Sequence, residues 1–257
     1  MIRNRLRQGV RTALFPRGPA PELPERYRGR PIRDPGHCPD DCRCCAADAP
    51  SALLVQGPDG RTALDLGACL FSPEEAAACP AGAISYTRDP RMAVATREGL
   101  VAPTGEVALV QALEARSRRL FGRSLRLRSV VAGSCNGCEA ELVALGNVVF
   151  DLARFGVQFV ASPRHADGIV ITGAVNVNMR DALERTYEAV PSPKIVIAVG
   201  ACAASGGPFR GSPEVLGGVP EGIPVDLWVP GCPPHPLTML DGLLRLLGSI
   251  EREDTSP

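Results

Sequence analysis

Leu125-Arg-Leu-Arg-Ser-Val-Val-Ala-Gly133-Ser-Cys135-Asn-Gly-Cys138-Glu139 is a strand, a glycine-bracketed loop and the opening of a helix. Leu125 to Ala132 reads as the strand, and Glu139 to Phe155 as the helix, closed by Gly156. The alternation continues toward the C-terminus. Val157 to Val160, Gly168 to Thr172, Lys194 to Val199 and Val225 to Val229 read as strands, while Asn178 to Val190 and Pro236 to Leu247 read as helices. Apolar runs alternating with amphipathic stretches are the pattern of βαβ units, so residues 124–250 are expected to form a flavodoxin-like, doubly wound parallel sheet.

In open α/β sheets ligands gather outside the carboxyl ends of the strands. Cys135 and Cys138 follow the first strand, Cys202 follows the strand ending at Val199, and Cys232 follows the one ending at Val229. All four thiols are therefore expected on one edge. Four thiolates suit a 4Fe-4S cubane, one per iron, and the helix beginning near Glu139 offers N–H groups toward an anionic cluster. Gly133, Gly137, Gly200 and Gly231 permit close backbone approach, and Pro233 and Pro234 stiffen the last ligand's loop. Four buried free cysteines or a four-thiolate zinc site use the same residues. One close pair with two distant singles at strand ends favours iron-sulfur chemistry over the paired ribbons usual for zinc.

Gly133-Ser-Cys-Asn-Gly-Cys-Glu139, Val199-Gly-Ala-Cys202 and Pro230-Gly-Cys-Pro-Pro234 resemble, in order and spacing, the small subunit of group 4 membrane-bound nickel-iron hydrogenases, including formate hydrogenlyase, and its relative in respiratory complex I. The likeness covers about residues 124–250. It implies that Cys135, Cys138, Cys202 and Cys232 ligate the proximal cluster beside the active site of a separate large catalytic subunit. Spacing of the Cys135-x2-Cys138 pair is similar to the hydrogenase version, since the complex I version has adjacent cysteines there. No cysteine follows Cys232, so one cluster is expected in this half.

Residues 34–90 are cysteine-rich with little hydrophobic periodicity, as in a small metal-stapled domain. Segment 38–84 resembles a bacterial two-cluster ferredoxin, whose motif C-x2-C-x2-C-x3-C-P occurs twice, the fourth cysteine of each serving the other's cluster. Here the first motif reads Cys38-x3-Cys42-x2-Cys45-x3-Ala49-Pro50, and the second Cys69-x2-Ser72-x2-Glu75-x3-Cys79-Pro80. The resemblance implies a ferredoxin-like α+β domain with one 4Fe-4S cluster on Cys38, Cys42, Cys45 and Cys79. Cys44 is a possible substitute ligand, and a zinc site or an empty fold are alternatives. The other set, Cys69, Ser72, Glu75 and Ala49, keeps one cysteine, so its cluster is expected to be absent and Cys69 to be a small buried side chain beside Leu70 and Phe71. Two 4Fe-4S clusters are expected in all.

Lysine plus arginine and aspartate plus glutamate number 28 each in 257 residues, which provides no global case for nucleic acid. The single lysine, Lys194, follows no glycine-rich turn, so no nucleotide loop is expected. Residues 1–33 carry nine arginines against Glu22 and Glu25. Ile2, Leu6, Val10 and Leu14 recur every four residues and predict a basic amphipathic helix up to Pro16, suited to a membrane surface or membrane subunit, with a solvated tail as the bland alternative. Residues 91–123 are expected to link the two domains and 251–257 to form a tail. Ten cysteines without a signal peptide, and no unbroken apolar span, suggest a reducing compartment and a soluble or peripheral protein, and the resemblance to membrane-bound complexes implies a cytoplasmic location, peripheral on the cytoplasmic face of the inner membrane. His235, three residues past Cys232, is expected to cap a helix or to hydrogen-bond cluster sulfurs. No catalytic role is expected for Glu139 or Glu141, whose place in a helix's first turn is favoured by its dipole.

Overall fold

The computed structural model describes residues 7, 9–38, 53–57, 62–113, 121 and 124–250. The expected ligands Cys42 and Cys45, with Cys44 and Ala49, and the apolar positions Ile2 and Leu6, lie outside the described residues.

The N-terminal unit contains two small antiparallel sheets. Strand β1 (Pro31–Arg33) pairs with β4 (Ile84–Tyr86), Ile32 lying opposite Ser85. Strands β2 (Leu54–Gln56) and β3 (Thr62–Asp65) form a hairpin, and β5 (Val101–Ala102) adds to β3. Helix α1 (Pro73–Ala77) starts with proline at its first position, where the missing N–H costs nothing. Leu53, Leu64, Leu66, Met92 and Leu100 form the core, together with Cys38, Cys69 and Cys79.

The C-terminal unit has strands β6 (Leu125–Val131), β7 (Val157–Phe159), β8 (Gly168–Thr172), β9 (Ile195–Val199) and β10 (Leu227–Val229), with helices α2 (Gly137–Ala144), α3 (Arg180–Ala189), α4 (Ala201–Ser205) and α5 (Pro236–Leu246). All strands are parallel, in the order β10-β9-β8-β6-β7. Counted within this unit the order is 2-1-3-4-5, the flavodoxin arrangement expected from the sequence. Side chains alternate across the sheet. Val170 and Ile197 enter the core shared with Leu142 of α2 and Leu240 and Leu244 of α5, while Ile169, Ile171 and Val196 enter the core shared with Leu183 of α3. Leu237, Leu240 and Leu244 are at most 1% exposed, and each contributes about 1.5–3 kcal/mol of burial.

Two helix expectations need correction. The helix expected over Glu139 to Phe155 ends at Ala144, because Asn147 Oδ1 accepts the N–H groups of Val149 and Phe150 in a turn, and Asp151 adopts a left-handed φ of 46°. Only a short 3-10 turn, Leu152–Phe155, resumes. The stripe expected through Val10 and Leu14 is not helical over residues 9–14. Gly9, at φ 68°, has the left-handed geometry that ends helices, and Ala13 N–H then bonds Val149 O at 2.9 Å, laying this stretch on the C-terminal unit.

The segment between the units belongs to both. Val94 and Trp228 exchange backbone hydrogen bonds (3.0 and 2.9 Å), covering the outer edge of β10. Arg97 grips Asp65 with both terminal nitrogens, at 2.8 and 2.7 Å, and donates Nε–H to Ala204 O at 2.7 Å. Asp65 is buried and Arg97 about one quarter exposed. Arg97→Ala strands a buried carboxylate, and it is expected to lower the urea midpoint by an amount equal to about 2 kcal/mol at unchanged slope, below the ~3–5 kcal/mol of a fully buried pair because water reaches the guanidinium.

Candidate metal centre

The loops after β6, β9 and β10 meet because glycines let their backbones touch. After β6 the chain turns at Gly133 (φ 94°), where a Cβ would stand 2.8 Å from Asn176 Nδ2, and then at Asn136 (φ 69°) before α2 begins. Gly200 N–H bonds Val229 O and Ala201 N–H bonds Gly231 O, each at 2.8 Å, which ties the β9 and β10 loops together. A Cβ on Gly200 (φ 91°) would stand 2.6 Å from Cys138 Sγ, and one on Gly137 would stand 3.5 Å from Cys135 Sγ and 3.6 Å from Pro233 Cβ. Three loops and four cysteines therefore share one edge, with Cys138 and Cys202 buried, Cys232 half-buried and Cys135 exposed.

Electrostatics show the same proximity. Burial first, and then the charges of Glu139, Cys202, Cys232 and Cys135, push the Cys138 thiol well above its ordinary value. Cys202 is pushed up to about 11 by burial, then by Cys232, Cys135 and Glu139. Burial and then Cys135 and Glu75 raise Cys232. Thiols that oppose one another's ionisation in a dry site need a cationic centre to become ligands. Four thiols at one sheet edge match the donor set of a cubane, which takes one thiolate per iron.

Glu139, given no chemical role from sequence, anchors the loop: it accepts from Ser134 Oγ at 2.9 Å and from Thr172 Oγ1. Thr172, at the end of β8, carries no signal in the sequence because only the sheet brings it to this edge. His235 caps α5, its Nδ1 accepting Leu237 N–H at 3.1 Å, and its ring meets Tyr27 and Phe150 edge-on at 5.4 and 6.0 Å. Burial lowers its pKa. A pocket of about 440 Å³ lies beside it, lined by Tyr27, Arg28, Phe71, Glu141 and Cys232 among others.

In the N-terminal unit Cys38 and Cys79 are buried in one apolar cluster. Arg33, itself buried, donates to Cys38 O at 2.6 Å and to Pro103 O at 2.8 Å, and Ala83 N–H points at Cys79 Sγ at 3.4 Å. Cys69 is fully buried and bonded to protein groups: its Sγ lies 3.4 Å from Glu75 Oε2 and receives Phe71 N–H at 3.3 Å.

The family described as NADH ubiquinone oxidoreductase, 20 Kd subunit, matches residues 135–246, a span that includes all four C-terminal cysteines. Formate hydrogenlyase subunit 7 of Escherichia coli (strain K12) is 40% identical over 155 residues, 60% of this chain and 61% of that protein, so this chain spans less than two thirds of that relative. An NADH-quinone oxidoreductase subunit of Bacteroides thetaiotaomicron is 44% identical over 135 residues, 52% of this chain and 68% of that one. Among solved structures, a chain of the membrane-bound sulfane sulfur reductase, an archaeal respiratory membrane complex, is 34% identical, covering 55% of this chain and 78% of that chain with a TM-score of 0.46. The probable membrane-bound hydrogenase subunit mbhJ of Pyrococcus furiosus is 42% identical over 134 residues, 52% of this chain and 80% of that protein. With that likeness extending over four fifths of a relative, and with its four thiols on one sheet edge, the chain belongs to the family of the 20-kDa subunit of NADH ubiquinone oxidoreductase.

Proposed function

We propose that the chain is an electron-transfer subunit of a membrane-associated hydrogenase-like complex, holding a 4Fe-4S cluster on Cys135, Cys138, Cys202 and Cys232 next to the active site of a separate large subunit. The observation that carries this reading is the meeting of four thiols at the carboxyl edge of a flavodoxin-type sheet. When bound, the cluster supplies one-electron chemistry. The chain's own residues shape its setting. Gly200 makes room for Cys138, Pro233 and Pro234 close the Cys232 loop without N–H groups, and Glu139 pins the first turn of α2 through Ser134 and Thr172.

A second 4Fe-4S cluster belongs, on this proposal, to Cys38, Cys42, Cys45 and Cys79 in the ferredoxin-like unit, which passes electrons to or from the first. Burial of Cys38 and Cys79 in one core, with the Ala83 N–H placed on Cys79 Sγ, supports it. Protein prepared without oxygen is expected to contain about eight irons and eight sulfides. About four irons would remove the N-terminal cluster, and about twelve would restore a set in which Glu75 now stands at a ligand position. Cys79→Ser is expected to diminish the N-terminal signal, while Cys69→Ala leaves iron content and spectra unchanged.

The partners proposed are the large catalytic subunit and a membrane subunit or membrane surface on the cytoplasmic side. No helix among the described residues is long and apolar enough to cross a membrane. NADH-quinone oxidoreductase subunits among the relatives favour a second reading, a quinone-reducing or nickel-free complex with the same wiring. The partner's sequence discriminates, since paired C-x2-C motifs at both ends mark a nickel site.

A further inference from the structure

Residues 9–17 are not helical, yet they turn large apolar side chains toward solvent. Val10 is 73% and Leu14 69% exposed, and Val148, in the turn after α2, is 65% exposed. The N-terminal strap is fastened to that turn at two points. Ala13 N–H bonds Val149 O at 2.9 Å, and Arg154 Nη2 donates to Phe15 O at 2.7 Å while its guanidinium stacks 4.5 Å from the centre of the Phe155 ring. Phe15, Val149 and Phe155 pack inward on the core of the C-terminal unit, so their neighbours Leu14 and Val148 are left facing out. Two distant pieces of chain thus build one apolar face.

The charge around this face has one sign. Residues 7–17 and 145–155 carry four arginines, Arg7, Arg11, Arg17 and Arg154, against one carboxylate, Asp151. All four arginines are exposed, and among the described residues none is held in an ion pair. Guanidinium groups pair with phosphate oxygens, and aliphatic tips enter the boundary between headgroups and acyl chains. The exposed apolar residues here are two valines and a leucine, without the buried aromatic anchor that marks a protein interface. We propose that the strap and the turn together form a contact surface for an anionic lipid headgroup layer, with Val10, Leu14 and Val148 entering the headgroup boundary and the four arginines facing phosphates. The inference rests on the membrane association proposed above, and it chooses lipid over a membrane subunit as what this face meets.

Co-sedimentation of the anaerobically prepared full-length protein with vesicles of equal parts phosphatidylglycerol and phosphatidylcholine tests it, with phosphatidylcholine alone as the control. Binding is expected to the mixed vesicles only, and it should fall as salt is raised, because exposed charges are screened. Arginines near an anionic surface contribute about fivefold each, so Arg11→Gln together with Arg17→Gln is expected to weaken binding about thirtyfold. Val10→Ser and Val148→Ser are each expected to weaken it about three- to tenfold. These side chains are exposed, so the variants should keep the parent's circular dichroism and iron content. A strap that left the body and coiled into a helix on the bilayer would make Val148 irrelevant. An effect of Val10→Ser without one of Val148→Ser therefore overturns the composite surface, as does equal binding to both kinds of vesicle. No binding to either, with the assembled complex still sedimenting with native membranes, would overturn the inference and leave membrane association to a membrane subunit. An assembled complex recovered in the soluble fraction would overturn that association as well.

Discussion

Cys232→Ala is expected to lower the iron content from about eight to about four and to abolish the C-terminal cluster's EPR signal, with the N-terminal signal left in place. A cubane with three thiolates exposes one iron, and the Cys232 loop has no spare donor to take over: Gly231, Pro233 and Pro234 surround the position. His235, the nearest candidate, already commits Nδ1 to Leu237 N–H and packs its ring against Tyr27 and Phe150. The N-terminal set shares no residue with this one, so its signal is the internal control. Survival of both signals would show that Cys232 is not a ligand, and loss of both would show that the variant had unfolded. Electron transfer to the large subunit should cease in the assembled complex, because the proposed route passes through this cluster alone.

Gly200→Ala is the second large effect expected, and it comes from one methyl group. Gly200 has φ 91°, a region an alanine occupies at a cost of about 1–3 kcal/mol. Its new Cβ would also stand 2.6 Å from Cys138 Sγ, closer than any non-bonded carbon and sulfur can remain. The backbone cannot retreat freely, since Gly200 N–H and Ala201 N–H are both bonded to the β10 loop. Cys138 must therefore move, and the C-terminal cluster is expected to be lost or to assemble at low yield, in contrast to Gly222→Ala, where nothing lies within 4 Å of the added atom. Iron analysis and the visible absorption of the two variants side by side check this. Equal cluster content in both would show that the close approach of Gly200 to Cys138 does not matter.

Much of the C-terminal unit was legible because its rules are local. Ile169 to Ile171 and Ile195 to Val199 are unbroken apolar runs, rich in β-branched residues, that a strand buried on both faces accommodates, and the cysteines follow their strands within a few residues. The extent of the first helix was not legible. Whether Asn147 continues a helix or turns the chain depends on where its side-chain oxygen finds donors, and Glu139 to Phe155 contains no proline to mark the stop. The part of the N-terminal amphipathic stripe that carries Val10 and Leu14 departs from a helix for a related reason. Apolar spacing describes a possible helix, but Gly9 and the bond from Ala13 to Val149 decide the conformation of residues 9–14.

The strands of the N-terminal unit were not legible in the sequence. Its short strands lack visible periodicity because β2, β3 and β5 have two to four residues each, too few to show alternation, and β1 finds its partner β4 more than fifty residues away. Pairing at that distance is a property of the folded chain, not of a window of sequence.

By itself the sequence determined the chemistry: which residues carry thiols, the order in which they follow strands, and the glycines and prolines that let loops carry them. Those are consequences of side-chain type and near-neighbour spacing. The tertiary structure alone decided what faces what. Thr172 comes to Glu139, Arg97 of the connecting segment joins Asp65 to Ala204, and the Tyr86 hydroxyl comes to the buried carboxylate of Glu75. Such contacts join residues from about ten to more than a hundred positions apart, and their strength comes from a dry interior in which an unpaired carboxylate is costly, so no local pattern announces them before the chain has closed on itself.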